Sequence, residues 1–313
     1  MTQKLFVAGG SGFIGSPFMR LAVEAGYQVS SLCRSEKSAA AAQAIGATPV
    51  MGDLLLAGDW QNHAAQADIV VHVAQPMTFG GRVGKARALA YERDRLIMDR
   101  NLFDALHRAN NLKRLVYCSG TSYYGQQDPP LKDESSAPNP RGWGKYIIKA
   151  MMQVERVRAD GLPILLLFPS SVYGNGSWFA PLLETIHTEK VQLVLAGRDA
   201  TFPLIHVEDC ARAMLHLMVH GQLEERYILT DNQPARFSEI LETAARALGK
   251  PLKTRPVPLW IAKVLAGPVV TDAYDGYLSN QRLLSTGFEL KYPTLAQGIP
   301  AVVRDWHERK NLL

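Results

Sequence analysis

At 313 residues, 47% hydrophobic and 20% charged, the chain is neither disordered nor fibrous and has room for one large domain, with or without a smaller lobe. Its net charge of +5 is not gathered into Lys and Arg runs interleaved with aromatics, so a nucleic-acid partner is not expected. Cys33, Cys118 and Cys210 are too few and too scattered for a disulfide framework or a metal site, and no apolar run or leader suits a membrane or secretion. A cytoplasmic protein with no metal and no membrane partner is the expectation.

Short apolar runs alternate with helical patterns from the first residues onward. Lys4 to Ala8 predicts a strand, a helix follows from near Gly12, and further strands are predicted over Gln28 to Leu32 and Asp68 to Val73. A long amphipathic stretch from about Val83 to Ala109 leads to the apolar run Arg114 to Cys118 and a loop from Ser119 to Gly125. This rhythm predicts repeated βαβ units: an α/β fold with a Rossmann-type doubly wound parallel sheet and helices on both faces.

Four prolines make residues 126–140 a surface loop of the kind that roofs a site. Lys145 to Ala159 reads as one helix, and Leu162 to Phe168 as a strand. Beyond Tyr173 the pattern is irregular, with prolines at 181, 203, 234, 251, 256, 258 and 268. The expected division is a dinucleotide-binding domain over 1–172, with returning elements near 204–231, and a smaller substrate lobe mainly over 173–313. The helix from Cys210 to His220 is one of the returning elements.

The strand Leu5 to Ala8 feeds directly into Gly9-Gly10-Ser11-Gly12-Phe13-Ile14-Gly15, which opens the first helix. Gly9, Gly12 and Gly15 are spaced three apart. Each omits a Cβ where the chain must turn, approach a pyrophosphate or pack helix on strand, and the helix N-terminus supplies N–H donors. At the end of the second strand, where an acid would bind a ribose 2′-hydroxyl, stands Leu32-Cys33-Arg34-Ser35. Arg34, with the Ser11 hydroxyl, suits a 2′-phosphate and favours NADP; nearby Glu36 keeps NAD possible. Asp53, in Gly52-Asp53-Leu54, is placed to accept from an adenine amino group.

These pieces, with Val71-His72-Val73-Ala74, Val116 to Gly125, Pro169 to Gly174 and Ile205 to Asp209, resemble the extended and atypical short-chain dehydrogenase/reductases, which include the NAD-dependent epimerases and dehydratases. The resemblance covers nearly the whole chain. It implies contacts to cofactor from Leu54, Ala74 and Pro169, and a chemistry that needs a Tyr to exchange a proton with the substrate oxygen. A Lys lowers that phenol's pKa and holds the ribose, and a Ser or Thr hydrogen-bonds the oxygen.

The chain departs from that pattern because it has no YxxxK. Flanking residues make Lys145 the lysine and put Arg141 at the tyrosine position. In a second register Lys149 is the lysine and Tyr146, three residues before it, shares its helix face. Both lysines remain candidates for the cofactor as well as for catalysis. The hydroxyl is expected from Thr121, with Ser119 and Ser122 beside it, and Tyr123 and Tyr124 are alternative phenols.

Where a nucleotide sugar would need Arg or Lys forks stands Ala200-Thr201-Phe202-Pro203, and Trp178, Phe179, Trp260 and Tyr274 are available to line a pocket. The expectation is an NAD(P)-dependent oxidoreductase acting on a carbonyl or alcohol of a small, rather apolar metabolite. Nucleotide-sugar epimerase or dehydratase, and a dinucleotide-binding protein with lost or altered catalysis, are the alternatives. In the family the chain resembles, helices corresponding to 83–110 and 145–159 often pack across a two-fold axis, so the resemblance implies a possible homodimer.

Overall fold

The computed structural model describes residues 2–76, 82–267 and 274–311. Pro268, one of the breakers noted above, lies outside them. In chain order the elements are β1 (Lys4–Ala8), α1 (Gly15–Glu24), β2 (Gln28–Cys33), α2 (Glu36–Ile45), β3 (Thr48–Met51), α3 (Trp60–Ala65), β4 (Ile69–His72), α4 (Lys85–Leu106) and β5 (Arg114–Cys118). After two 3₁₀ turns, Thr121–Tyr123 and Gly142–Tyr146, come α5 (Ile148–Ala159), β6 (Ile164–Pro169), β7 (Ser171–Tyr173), α6 (Phe179–His187), β8 (Gln192–Leu195), β9 (Thr201–Phe202) and β10 (Leu204–His206). The chain ends with α7 (Val207–His220), β11 (Arg226–Leu229), β12 (Ala235–Arg236), α8 (Phe237–Leu248), β13 (Thr254–Val257), α9 (Leu259–Leu265), α10 (Gln281–Ser285) and α11 (Leu295–Asn311).

The main sheet has seven strands in the order β11-β6-β5-β4-β1-β2-β3, all parallel. Strand order reverses between β1 and β4, the point where sheets of this class open a crevice at the C-terminal ends of their strands. Period-two alternation splits each strand between two cores. Leu5 and Val7 of β1 join Phe18 and Met19 of α1 and Met214 and Leu217 of α7 on one side. Phe6 and Ala8 join Trp60 of α3, Leu102 and Phe103 of α4 and Met151 and Val154 of α5 on the other. A third cluster, with Phe179, Leu183, Ile240 and Trp306, belongs to chain beyond Tyr173.

The predicted strands and helices are present, with three shifts that matter for the site. α1 begins at Gly15, three residues later than expected, because Gly9 to Ile14 form the turn itself; the Gly12 N–H donates to Gly9 O at 3.1 Å. The helix expected over Lys145 to Ala159 is broken at Ile147, so Lys145 and Tyr146 lie in the 3₁₀ turn and only Lys149 lies in α5. A Cβ on Gly144 would collide with the Ser122 carbonyl, so this turn is pressed directly onto the loop after β5. α7 starts at Val207, with His206 as its N-cap accepting from the Glu208 N–H at 3.2 Å.

Residues 126–140 form a loop, as expected, but one that is tied down. Asn139 N–H donates to Tyr124 O, and Lys132 bridges to Leu278 from the far end of the chain. The buried Glu134 carboxylate accepts the Ile228 N–H at 2.8 Å, which satisfies part of the otherwise open edge of β11. Among the described residues no helix is long and apolar enough to cross a membrane, and no His, Cys, Asp and Glu cluster could hold a metal ion.

Candidate active site

The glycine turn sits at the C-terminal end of β1, and its three glycines do different work. Gly9 has φ +95°, and a Cβ there would stand 2.5 Å from Ala74 N, so this position both bends backwards and abuts the end of β4. A Cβ on Gly15 would strike the Gly9 carbonyl, so α1 can pack this close only without a side chain. Gly12 is different: a Cβ there would meet only Gly9 O, at 3.1 Å, and otherwise enter open space. No side chain caps α1; in its first turn the Ser16 N–H donates to Gly12 O at 2.9 Å and Pro17 has no N–H, so a phosphate would meet the turn that precedes them. An open glycine at an uncapped helix start is a cradle that fits a dinucleotide pyrophosphate.

The neighbouring residues close the cradle. Phe13 is half-buried with its ring against Gly174 and Gly176, and Ile14 leans on the first core, while Ser11 stays exposed. Parallel register sets Leu32 beside Ala8, so Arg34 leaves β2 alongside the glycine turn and is exposed there. Ser35 then caps α2 through a reciprocal pair with Ser38. Asp53 spends one carboxylate oxygen on the Leu55 N–H at 2.9 Å, and Leu54 is a core side chain whose carbonyl accepts from Asn101. Pro169 ends β6 paired with Leu229 of β11.

A buried polar network, not foreseen from the sequence, braces the crevice from below. The Tyr117 hydroxyl donates to Asp99 Oδ2 at 2.7 Å, His72 Nε2 lies 2.9 Å from Asp99 Oδ1, and Arg95 Nε donates to both Asp99 and Tyr117. Arg95 also donates to Ala74 O at 2.9 Å and Cys118 O at 3.3 Å, joining the ends of β4 and β5 to α4. Burial pushes the His72 pKa down, reinforced by the Arg95 charge, so the imidazole is neutral and its Nε2–H faces the carboxylate. Burial works against an ionised Asp99, but the Arg95 charge and the His72 and Tyr117 hydrogen bonds outweigh it and hold the carboxyl low. Only the i,i+4 spacing of Arg95 and Asp99 was visible in the sequence.

Above this network the catalytic candidates separate. Ser119 is half-buried with its N–H on Leu167 O, and Thr121 is buried, its carbonyl accepting from Tyr124 and Gly125. Lys149 is mostly exposed and its ammonium is 2.7 Å from the Glu92 carboxylate, so the structure pairs it with α4 and not with Tyr146. Tyr146 packs with Val83, Ala88 and Trp143 in a small apolar cluster, and Lys145 is exposed. The Tyr124 hydroxyl donates to Glu134 O, and the Tyr123 ring is 5.5 Å from the Phe168 ring and 6.0 Å from the Arg226 guanidinium.

Of the four aromatics expected to line a pocket, Phe179 is core, Trp178 donates to Val172 O and Trp260 is 68% exposed on α9. Tyr274 is half-buried. A cleft of about 510 Å³ lined by Arg158, Pro163 and Leu223 opens at the start of β6, at the N-terminal ends of the strands, whereas the glycine turn lies at their C-terminal ends.

The sequence profile of the NAD dependent epimerase/dehydratase family matches residues 5–229. A 4-hydroxy-2-methyl-3-oxo-4-farnesyl-3,4-dihydroquinoline-1-oxide ketoreductase from Stigmatella aurantiaca is 27% identical, over 84% of this chain and 79% of its own. Dihydroflavonol 4-reductase from Hordeum vulgare is 24% identical, over 92% of this chain and 84% of its own. A human epimerase family protein solved with NADPH shares the fold at a TM-score of 0.79 and 19% identity, covering 96% of this chain and 99% of its own.

Proposed function

The chain belongs to the NAD-dependent epimerase/dehydratase family, and from that premise we propose that it is an NADP-preferring oxidoreductase acting on a carbonyl of a small, apolar metabolite. The observation that carries the cofactor preference is Arg34, which leaves β2 beside the glycine turn where an acid would select a ribose diol. Reduction is favoured by the two relatives, a ketoreductase and a dihydroflavonol reductase. An apolar substrate is favoured by Phe202 and Pro203, which offer a diphosphate no charged fork.

A bound reduced nicotinamide supplies the hydride. The chain's own residues do the rest. Gly12 and the α1 N-terminus hold the pyrophosphate, Ala74 and the end of β4 limit how the dinucleotide lies, and the Arg95 and Asp99 network keeps the β4 and β5 ends rigid beneath it. The loop after β5 brings hydroxyls to the substrate side, so a proton can reach the oxygen while a hydride reaches the carbon.

Titrating the protein with NADPH and with NADH by nucleotide fluorescence tests this, repeated on Arg34→Ala. NADPH is expected to bind at least about tenfold more tightly, the equivalent of ~1.4 kcal/mol for a charge-assisted contact, and Arg34→Ala to erase the difference. Equal binding of both nucleotides by the wild type refutes the NADP preference. Binding of neither refutes the whole reading, and stabilisation by a UDP-sugar in place of an apolar carbonyl turns it toward the epimerases.

A further inference from the structure

A surface helix normally turns its polar side to solvent, but α9 turns an apolar one. None of its 7 residues is buried. Leu259, Trp260 and Val264 are exposed, and their spacing puts them on one helix face with the exposed Lys263. The helix is held from its ends instead. β13 enters it through Pro258, Arg82 Nε donates to Val264 O at 2.7 Å, and the Val83 N–H donates to Ala266 O at 3.0 Å.

The strand pair that leads into α9 continues the pattern. β8 and β13 run parallel with Leu193 opposite Arg255, and both residues are exposed, as is Val191 just before β8. Charge on these segments is one-sided. Residues 82–87, 189–199 and 250–267 carry nine Lys and Arg against two acids, although the whole chain has a net charge of only +5. Glu189 is taken by Lys250 and Lys253, at 3.4 and 3.2 Å, and Asp199 by the Ser238 N–H and hydroxyl. The cations come from three separate stretches of chain, so no basic run marks them in the sequence.

We propose that α9 and the β8–β13 pair form a docking surface for an anionic lipid bilayer. An exposed apolar patch rimmed by charge marks an interaction site, and the chemistry here selects the occupant. Trp260 suits the headgroup boundary, where an indole buries its rings and keeps its N–H wet. Lys263 and Arg255 can lay their aliphatic stems along the neighbouring apolar side chains and carry their charges to lipid phosphates. A second copy meeting this face across a two-fold axis would set the same cations against each other, which repel. Because α9 buries no residue it projects from the fold, and a projecting helix sinks into a deformable lipid boundary where a rigid protein partner would need a matching groove.

The expectation of no membrane partner came from the lack of an apolar run able to span a bilayer. A helix lying in the lipid surface needs no such run, so the proposal agrees with the described residues holding no membrane-crossing helix. It goes beyond the oxidoreductase reading and does not depend on it. The two meet at one point: an apolar metabolite partitions into the same lipid that this face touches.

Co-sedimentation of the full chain with lipid vesicles tests the proposal. The wild type should pellet with phosphatidylcholine and phosphatidylserine mixed at roughly 3:1 and stay in solution with phosphatidylcholine alone, and raising NaCl from about 0.05 M to about 0.5 M should release it. Lys263→Ala should weaken the partition about fivefold and Trp260→Ala at least about tenfold. Both variants should melt as the wild type does, because both side chains are exposed. Pelleting with neither vesicle, equal pelleting with both, or a Trp260→Ala variant that partitions like the wild type overturns the proposal. A lipid-free wild type that sediments as a dimer and becomes monomeric on Trp260→Ala assigns the face to a second copy and also overturns it. No nucleotide enters the assay, so its outcome is separate from that of the NADPH titration.

Discussion

Replacing Asp231 by Asn should stabilise the protein at alkaline pH and leave it no more stable in acid. Asp231 follows β11, is 2% exposed, and has one carboxylate oxygen with no partner among the described residues; the other accepts the Gln233 N–H at 3.2 Å. Burial raises its pKa to about 8; the Gln233 hydrogen bond opposes the rise and the Asp209 charge adds to it. The similarly buried Tyr173 hydroxyl also has no partner among the described residues, and its pKa is raised by burial and by Asp231.

The folded chain therefore holds one proton more than the unfolded chain between about pH 4 and pH 8. This group's contribution to stability is complete below the ordinary carboxyl value and is lost as pH rises through about 8. At pH 7 the loss is on the order of 4 kcal/mol. Asn keeps the oxygen that accepts from Gln233 but buries an amide, at a cost of about 1–3 kcal/mol. The net gain should be about 1–3 kcal/mol near pH 7, or roughly 2–6 °C in Tm, larger by about 1 kcal/mol at pH 8, and should vanish by about pH 5. Thermal melts of both proteins from pH 5 to pH 9 measure it. Parallel pH profiles, or a variant that melts lower at pH 8, would refute the reasoning.

Two further substitutions probe the crevice. Gly12→Ala should leave Tm within a few degrees yet weaken dinucleotide binding at least about tenfold, because its Cβ enters the open side of the cradle; Gly15→Ala should unfold the protein at a much lower temperature, since its Cβ strikes Gly9. Comparing melts with nucleotide titrations separates the two, and equal binding loss without destabilisation in both would contradict the geometry. Asp99→Asn should cost about 3–5 kcal/mol by leaving the buried Arg95 charge without its counterion, seen as a Tm fall of order 10 °C. A melt unchanged by that substitution would remove the network's structural role.

The glycine turn, the parallel sheet and Arg34 were legible because they are local. Three glycines at fixed spacing between an apolar strand and an amphipathic helix leave the backbone few alternatives, and the residue that ends β2 is set by register with β1. The helix start was misplaced by three residues and the 145–159 helix was read as unbroken because neither error changes hydrophobic period. What breaks that helix, Gly144 against the Ser122 carbonyl, is a contact between separate loops.

The surroundings of the candidate lysines and phenols were beyond reach of the sequence for the same reason. Spacing on one helix drew attention to Tyr146 and Lys149, but tertiary packing gives Lys149 to Glu92 and Tyr146 to an apolar cluster. The sequence by itself determined the parallel sheet with its flanking helices and the glycine turn between β1 and α1, since short-range sterics and hydrophobic period suffice for those. Only the tertiary structure decided which polar groups meet, because His72 of β4, Arg95 and Asp99 of α4 and Tyr117 of β5 come from three elements and are joined by burial that no local pattern encodes.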